Sequence, residues 1–87
     1  MPDAQLICAQ VADELLTVKG VKASFVVGRS NEMETVISAR SLGEINVQVI
    51  MEKFGGGGHL TTAAAQVDTS IDETVSKIMN VLEVNKQ

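Results

Sequence analysis

Aromatic residues, cysteine and histidine are scarce in this 87-residue chain. Two phenylalanines are its only aromatic residues although 45% of the sequence is hydrophobic, so we expect a core of aliphatic side chains. The single cysteine, Cys8, excludes an intrachain disulfide, and its apolar neighbours indicate a buried small side chain rather than a reactive thiol. The single histidine, His59, would have to rely on carboxylates and Cys8 to complete a metal site, and their spacing matches no metal-ligand pattern.

Long hydrophobic runs and an excess of basic residues are also missing. The apolar runs extend over a few residues, whereas a membrane-spanning helix needs roughly 20. The net charge is −4, which argues against non-specific binding of long nucleic acids because that binding needs many phosphate contacts. The length allows one small domain, residues 1–87, and the sparing use of cysteine fits a reducing cytoplasm.

Hydrophobic periodicity predicts an α/β domain with the element order α-β-β-α-β-α. The first two strands are expected to form an antiparallel hairpin. The helical crossover from the second strand to the third favours a small mixed β-sheet covered by helices. The expected elements are a helix at 3–18, strands at 21–29 and 35–40, a helix capped by Ser41–Glu44 or by Asn46, a strand at 62–67, and a helix capped by Ser70–Glu73.

The first and last helices are each expected to bury an apolar stripe against the sheet, because their apolar residues recur at helical spacing. The stripe of the first helix consists of Ile7, Val11, Leu15 and Val18, widened by Cys8 and Ala12, and that of the last helix consists of Ile71, Val75, Ile78, Met79 and Leu82.

Four consecutive glycines, Gly55 to Gly58, precede His59. Each glycine costs backbone entropy on ordering, of order 0.5–1 kcal/mol, and a helix stop needs only one of them. Backbone without Cβ atoms can form a nest of N–H groups that a phosphate approaches closely. A bare connector between a helix and a strand is the alternative, although flexible linkers are usually longer and contain serine. The pattern therefore favours phosphate binding.

Arg40 is a second candidate phosphate ligand. It shares a strand face with Ser38 and lies where the second strand ends, and strand ends that lead into a crossover helix are where α/β folds bind ligands. Its guanidinium can donate two parallel hydrogen bonds to a phosphate. The alternative is a surface arginine paired with Glu44. No residue pattern supplies a nucleophile with a paired base, so bond breaking is not encoded in this chain.

The segment Phe54–His59, followed by residues 60–65, resembles the signature of the DHHA1 domain, the C-terminal lobe of the DHH-family phosphoesterases. Residues 38–43 and 45–47 match the same domain. Within that family, the combination of these motifs is most similar to that of the bacterial cyclic-di-AMP phosphodiesterases.

The resemblance implies a division of labour. A preceding DHH lobe holds two metal ions, typically manganese, while the DHHA1 lobe grips the nucleotide, so this chain would bind no cofactor and contain no catalytic residue. By the same resemblance, Arg40 and His59 would contact substrate phosphate and the glycines would line the nucleotide's approach. The implied substrate-binding residues are Ser38, Arg40, Asn46, Gly56, Gly57, Gly58 and His59.

The expected function is therefore that of the substrate-binding lobe of a phosphodiesterase, a fragment that is inactive alone. Its partners would be a cyclic dinucleotide or short oligonucleotide and the upstream DHH lobe. Its parent would be an enzyme that is membrane-anchored, with this domain on the cytoplasmic side. The alternatives are a non-catalytic nucleotide-sensing module and the corresponding lobe of a RecJ-like exonuclease or nano-RNA-degrading phosphatase.

Overall fold

Residues 3–31 and 34–85, which the computed structural model describes, form a four-stranded antiparallel sheet and three helices. In chain order the elements are α1 (Ala4–Leu15), β1 (Ala23–Asn31), β2 (Glu34–Ser41), α2 (Val47–Glu52), β3 (Gly57–Gly58), β4 (Thr62–Val67) and α3 (Ile71–Asn85). The order α-β-β-α-β-α is confirmed, with the two-residue strand β3 as an addition. The order within the sheet is β1-β2-β4-β3.

The expected mixed sheet is wrong, because β2 and β4 pair antiparallel, as β1 and β2 do. After α2 the chain first forms β3 and then reverses through a hairpin into β4. The His59 N–H donates to the Thr62 carbonyl at 2.6 Å, and the Thr62 N–H donates back at 3.3 Å. This reversal makes β4 run against β2 and not along it.

The two faces of the sheet are covered differently. Inward residues of β2 and β4 pack with residues of α2 and α3 to form the main hydrophobic core on one face. The buried members of that core are Ile37, Ala39, Val47, Ile50, Met51, Ala63, Ala65 and Ile78. Helix α1 covers the opposite face over β1 and β2, where it buries Cys8 and Ala12. Strand β4 therefore has one face in the core and the other beside α1.

Of the expected apolar stripe of the first helix, only Cys8 and Ala12 are buried. The other members are 41–53% exposed, because the helix contacts the sheet through these two smaller residues. Gly28 makes this close contact possible, since a Cβ at that position would lie 2.8 Å from the Cys8 Sγ. The buried Ser24 hydroxyl donates to the Ala12 carbonyl at 2.8 Å. The exposed stripe residues are Ile7, Val11, Leu15 and Val18.

Helix α3 also differs from expectation. Ile78 is buried and Leu82 packs against the core, but Val75 and Met79 are 42% and 58% exposed. The other buried residue of its first two turns is Thr74, whose hydroxyl lies 2.7 Å from that of Thr69. The buried side of α3 is thus rotated from the expected stripe.

The caps decide where the helices begin. The Asn46 side chain accepts from the Val49 N–H at 3.2 Å, so α2 begins after Asn46 and the expected capping box at Ser41–Glu44 is wrong. The Ser70 hydroxyl accepts from the Glu73 N–H at 3.1 Å, which is one bond of the capping box expected there. None of the helices in the described part of the chain is long and apolar enough to cross a membrane.

Candidate functional site

The glycine run has a structural reason at most of its positions. Gly55 ends α2 in the left-handed region, at φ +82°. A Cβ on Gly56 would collide with the Ala64 carbonyl oxygen and lie 2.6 Å from the Ala65 Cα. A Cβ on Gly58 would collide with the Thr62 carbonyl oxygen. The small residues of β4 therefore admit the close approach of the protein's own glycine backbone.

The expected nest of successive free N–H groups is not formed at the start of this loop. The Gly55 and Gly56 N–H groups donate to carbonyls of α2 at 3.1 and 2.9 Å, which closes the C-terminus of that helix. Because His59 and Thr62 exchange both hydrogen bonds, the alternation of an antiparallel ladder directs the Gly58 N–H away from β4. Strand β3 is the edge of the sheet, so this amide lies at the edge.

Gly57 is different from its neighbours. No atom of the described residues outside its immediate chain neighbours lies within 4 Å of the position that a Cβ would take, and its φ is not in the left-handed region. Gly57 pairs with Ala64, and partners across a ladder have side chains on the same face. Ala64 is exposed, whereas Ala63 and Ala65 are buried in the core. The missing Gly57 side chain therefore leaves space on the α1 side of the sheet.

Arg40 lies on the same side, one residue before the end of β2. Its Nε–H donates to the Asp13 Oδ1 of α1 at 2.7 Å, and its Nη1 donates to the Ala39 carbonyl at 2.9 Å. The alternative pairing of Arg40 with Glu44 is wrong, because Glu44 contacts Lys22 at 3.2 Å. The Arg40 side chain is 13% exposed, so most of it is covered.

The sheet register brings several of the expected residues to one end of the sheet. Arg40 is the Cα partner of Thr62, which is hydrogen-bonded to His59 at the turn of the β3–β4 hairpin. His59 is exposed at this turn. The hairpin is fixed to the rest of the fold because the Ser41 and Val47 N–H groups donate to carbonyls of its tip at 2.9 and 3.0 Å.

The other expected site residues are placed differently. Ser38 is buried, with 3% exposure, on the side of the sheet that α1 covers and that it shares with Arg40. Asn46 caps α2, whose core residues pack on the opposite face. Gly56 is held against β4 by close packing.

Sequence reasoning missed Asp13 and Ser24. Asp13 of α1 forms an ion pair with Arg40 at 2.7 Å, although its own side chain is 63% exposed. Ser24 is the Cα partner of Arg40 and is hydrogen-bonded to α1. The sequence signal for Asp13 was its position next to Ala12, which is buried. Its partner Arg40, however, is 27 residues away in the sequence.

The donor set does not fit a metal centre. Within residues 3–31 and 34–85, no three His, Cys, Asp or Glu side chains lie close enough together to hold a metal ion. A two-metal centre needs several such side chains close together. Cys8 is buried, and desolvation raises the pKa of its thiol, which favours the protonated form over the thiolate that binds metals.

Two depressions flank this region. One of about 370 Å³ lies between α1 and the glycine loop and is lined by Gln5, Gly55, Gly56, Ala64, Ala65 and Gln66. A larger groove of about 700 Å³ lies between α2 and α3, and it is mostly apolar with Glu44 and Glu83 among its lining residues. Carboxylates repel a phosphate, so the smaller depression is the better location for an anionic ligand.

The fold and this surface define a small α/β domain in which an arginine, a glycine hairpin and a histidine lie at one end of the sheet. This open end is where β2 finishes and the β3–β4 hairpin turns. The chain belongs to the DHHA1 domain family, whose family model matches residues 4–86.

The relatives are longer proteins. The chain is 52% identical over 79 residues to the cyclic-di-AMP phosphodiesterase GdpP of Geobacillus thermodenitrificans and 51% identical over 79 residues to the cyclic-di-AMP phosphodiesterase PdeA of Listeria monocytogenes. Each match covers 90% of this chain, which spans 12% of the length of these relatives. A solved structure of the pGpG-specific phosphodiesterase PggH from Vibrio cholerae has the same fold, with a TM-score of 0.58 and 20% identity over 75% of this chain and 24% of that one.

Proposed function

We propose that this chain is the substrate-binding lobe of a metal-dependent phosphodiesterase that hydrolyses cyclic di-AMP or short oligonucleotides. About half of the residues are identical to those of relatives named as cyclic-di-AMP phosphodiesterases, over nearly the full chain. Because the chain spans 12% of those relatives, the catalytic activity would belong to the larger protein.

The observation that carries the proposal is the placement of Arg40, Gly57 and His59 at one open end of the sheet. Arg40 retains N–H donors beyond the two that bind Asp13 and Ala39, so it can donate to a phosphate. Gly57 leaves room for the ligand against the backbone. His59 supplies a ring N–H beside the edge amide of Gly58.

The remaining expected residues would act as supports. Ser38 lies buried under α1 behind Arg40, and Asn46 fixes the start of α2. Gly56 sets the distance between the glycine loop and β4. In this proposal they shape the site without contacting the phosphate.

The metal ions, which we propose to be manganese, would be held by a DHH lobe upstream in the same polypeptide, because the donors described here do not form a metal site. We therefore assign no bond-breaking step to this chain. We also propose that the domain lies in the cytoplasm, since the sparing use of cysteine fits a reducing compartment.

An amide NMR titration with the linear dinucleotide pApA tests the proposal. We expect shift changes at Arg40 and at residues 56–59 with a high-micromolar to millimolar Kd, a free energy of about −4 to −6 kcal/mol, because the other lobe is absent. Arg40→Ala should weaken binding about tenfold or more, since hydrogen bonds to charged groups contribute about 1.5–3 kcal/mol. His59→Ala should weaken it less.

Lys77→Ala is the charge-matched control, because Lys77 is an exposed cation on α3, which packs on the face of the sheet opposite to Arg40 and Asp13. It should leave the Kd within about twofold of the wild-type value. Equal losses in Arg40→Ala and Lys77→Ala would reduce the interaction to net charge and remove the assigned site.

The alternative is a nucleotide-sensing module without catalysis, and the larger polypeptide distinguishes the two. A DHH lobe upstream, together with manganese-dependent hydrolysis of cyclic di-AMP that is lost in Arg40→Ala, supports the enzyme. Binding of pApA by a polypeptide that has no such lobe supports the sensor.

A further inference from the structure

The Arg40 side chain is held in place before any ligand arrives. Its Nε–H donates to Asp13 at 2.7 Å and its Nη1 donates to Ala39 at 2.9 Å. The guanidinium is planar and rigid, so two bonds at different nitrogens fix both its position and the direction of its plane. The N–H donors that remain are directed away from these two acceptors.

Asp13 is itself held by a buried contact. Its neighbour Ala12 is fully buried, and the Ala12 carbonyl accepts from the Ser24 hydroxyl at 2.8 Å. Ser24 is also the Cα partner of Arg40 across the β1–β2 ladder. The hydrogen bond and the ion pair therefore join the same turn of α1 to adjacent strands, which makes the Asp13–Arg40 geometry part of the fold.

From this geometry we infer that Asp13 is a positioning residue, which orders Arg40 so that its remaining donors meet a nucleotide phosphate. The inference rests on the proposed function for its ligand. An unheld arginine would have to lose rotamer freedom on binding, and Asp13 removes that cost in advance.

Asp13 also places a negative charge near the proposed phosphate, which opposes binding. Its side chain is 63% exposed, so solvent and salt screen that repulsion strongly. The contact that it makes with Arg40 is by contrast direct and on a side chain that is 13% exposed. The ordering of Arg40 therefore outweighs the repulsion between Asp13 and the phosphate. Replacing Asp13 by alanine or by asparagine distinguishes these two effects.

Titration of the chain with pApA, in the wild type and two variants, measures the balance. Asp13→Ala removes the acceptor, and we expect the Kd to rise about threefold to tenfold, the cost of ordering one long side chain on binding. Asp13→Asn keeps an oxygen that accepts the Arg40 Nε–H but removes the charge, so its Kd should stay within about twofold of wild type or fall. In an Arg40→Ala background, Asp13→Ala should have no further effect.

The Arg40 Nε–H resonance gives a readout without ligand. The chain has one other arginine, Arg29, which serves as an internal reference. We expect a high heteronuclear NOE for Arg40 in the wild type and in Asp13→Asn, and a low value in Asp13→Ala. The urea midpoint should be nearly unchanged in both variants, because Asp13 is exposed.

Three results would overturn the inference: tighter or unchanged binding in Asp13→Ala, an equal loss in Asp13→Asn, or an Arg40 NOE that does not respond to Asp13→Ala. A wild-type chain that fails to bind pApA at millimolar concentration contradicts the proposed function, and the role of Asp13 toward phosphate falls with it. Binding by the wild type with no effect of Asp13→Ala contradicts this inference alone.

Discussion

Individual glycines of the loop have separate tasks, and their local geometry distinguishes them. Gly55 adopts a backbone conformation that other residues avoid, and Gly56 lies against the backbone of β4. Gly57 has an ordinary conformation with open space where a side chain would be. Backbone conformation therefore explains Gly55 and packing explains Gly56, whereas neither accounts for the missing side chain at Gly57.

Alanine substitutions at Gly56 and Gly57 should consequently change the free energy of unfolding by different amounts. Gly56→Ala should lower the free energy of unfolding by about 1–3 kcal/mol, because the new methyl collides with Ala64 and Ala65. Gly57→Ala should change it by less than about 1 kcal/mol. Urea denaturation measures both values.

The same Gly57→Ala variant should bind pApA more weakly than the wild type, since its methyl group occupies the proposed ligand space. Unimpaired binding by a stably folded Gly57→Ala chain would place the ligand elsewhere.

Among the secondary-structure elements, the short helix α2 depends on the single N-cap that Asn46 supplies. It is six residues long, so its own hydrogen bonds contribute little, and its start is fixed by the Asn46 side chain and by the Leu60 carbonyl, which accepts from the Val47 N–H at 3.0 Å. The glycine hairpin and the helix thus hold each other in place.

Asn46→Ala should therefore lower the free energy of unfolding by about 1 kcal/mol, within the 0.5–2 kcal/mol range of N-cap losses. Glu44→Ala is the matched control, because Glu44 was the expected capping-box partner but instead forms an exposed ion pair with Lys22. The control should cost less than about 1 kcal/mol. If the two losses in thermal or urea unfolding were reversed, the helix would begin earlier than the structure shows.

At the scale of the whole molecule, the protonation of the Cys8 thiol links the free energy of unfolding to pH. Desolvation raises the pKa of the Cys8 thiol, so the folded chain retains a proton that the unfolded chain releases above about pH 8.5. The stability that the neutral thiol contributes is complete below the unfolded pKa and is lost as pH rises through the folded pKa.

We therefore expect the urea midpoint of the wild-type chain to fall between about pH 8 and pH 10. Cys8→Ala should show a smaller fall over the same interval, although its midpoint starts lower because the close contact between α1 and Gly28 is lost. The chain contains no tyrosine that would titrate in this interval. Identical slopes in the two proteins would show that Cys8 does not cause the alkaline loss of stability.

How much of this protein follows from its sequence differs between its parts. The order of the main elements, the β1–β2 hairpin and strand β4 at 62–67 follow from patterns within a few residues, such as alternation and caps. Such patterns depend on local backbone geometry, which neighbouring residues largely determine. Membership of the DHHA1 family also follows from a short stretch, because the glycine run and the arginine upstream are close together in the chain.

Tertiary contacts decided the remainder. The apolar periodicity of α1 indicated Ile7 and Val11 as buried together with Cys8 and Ala12, yet only the two small residues are buried, because the sheet beneath the helix admits only small residues. Periodicity shows that a helix is amphipathic but not what shape its partner surface has. The antiparallel direction of β4 and the Asp13–Arg40 ion pair likewise depend on residues that are distant in sequence and adjacent only in the folded chain.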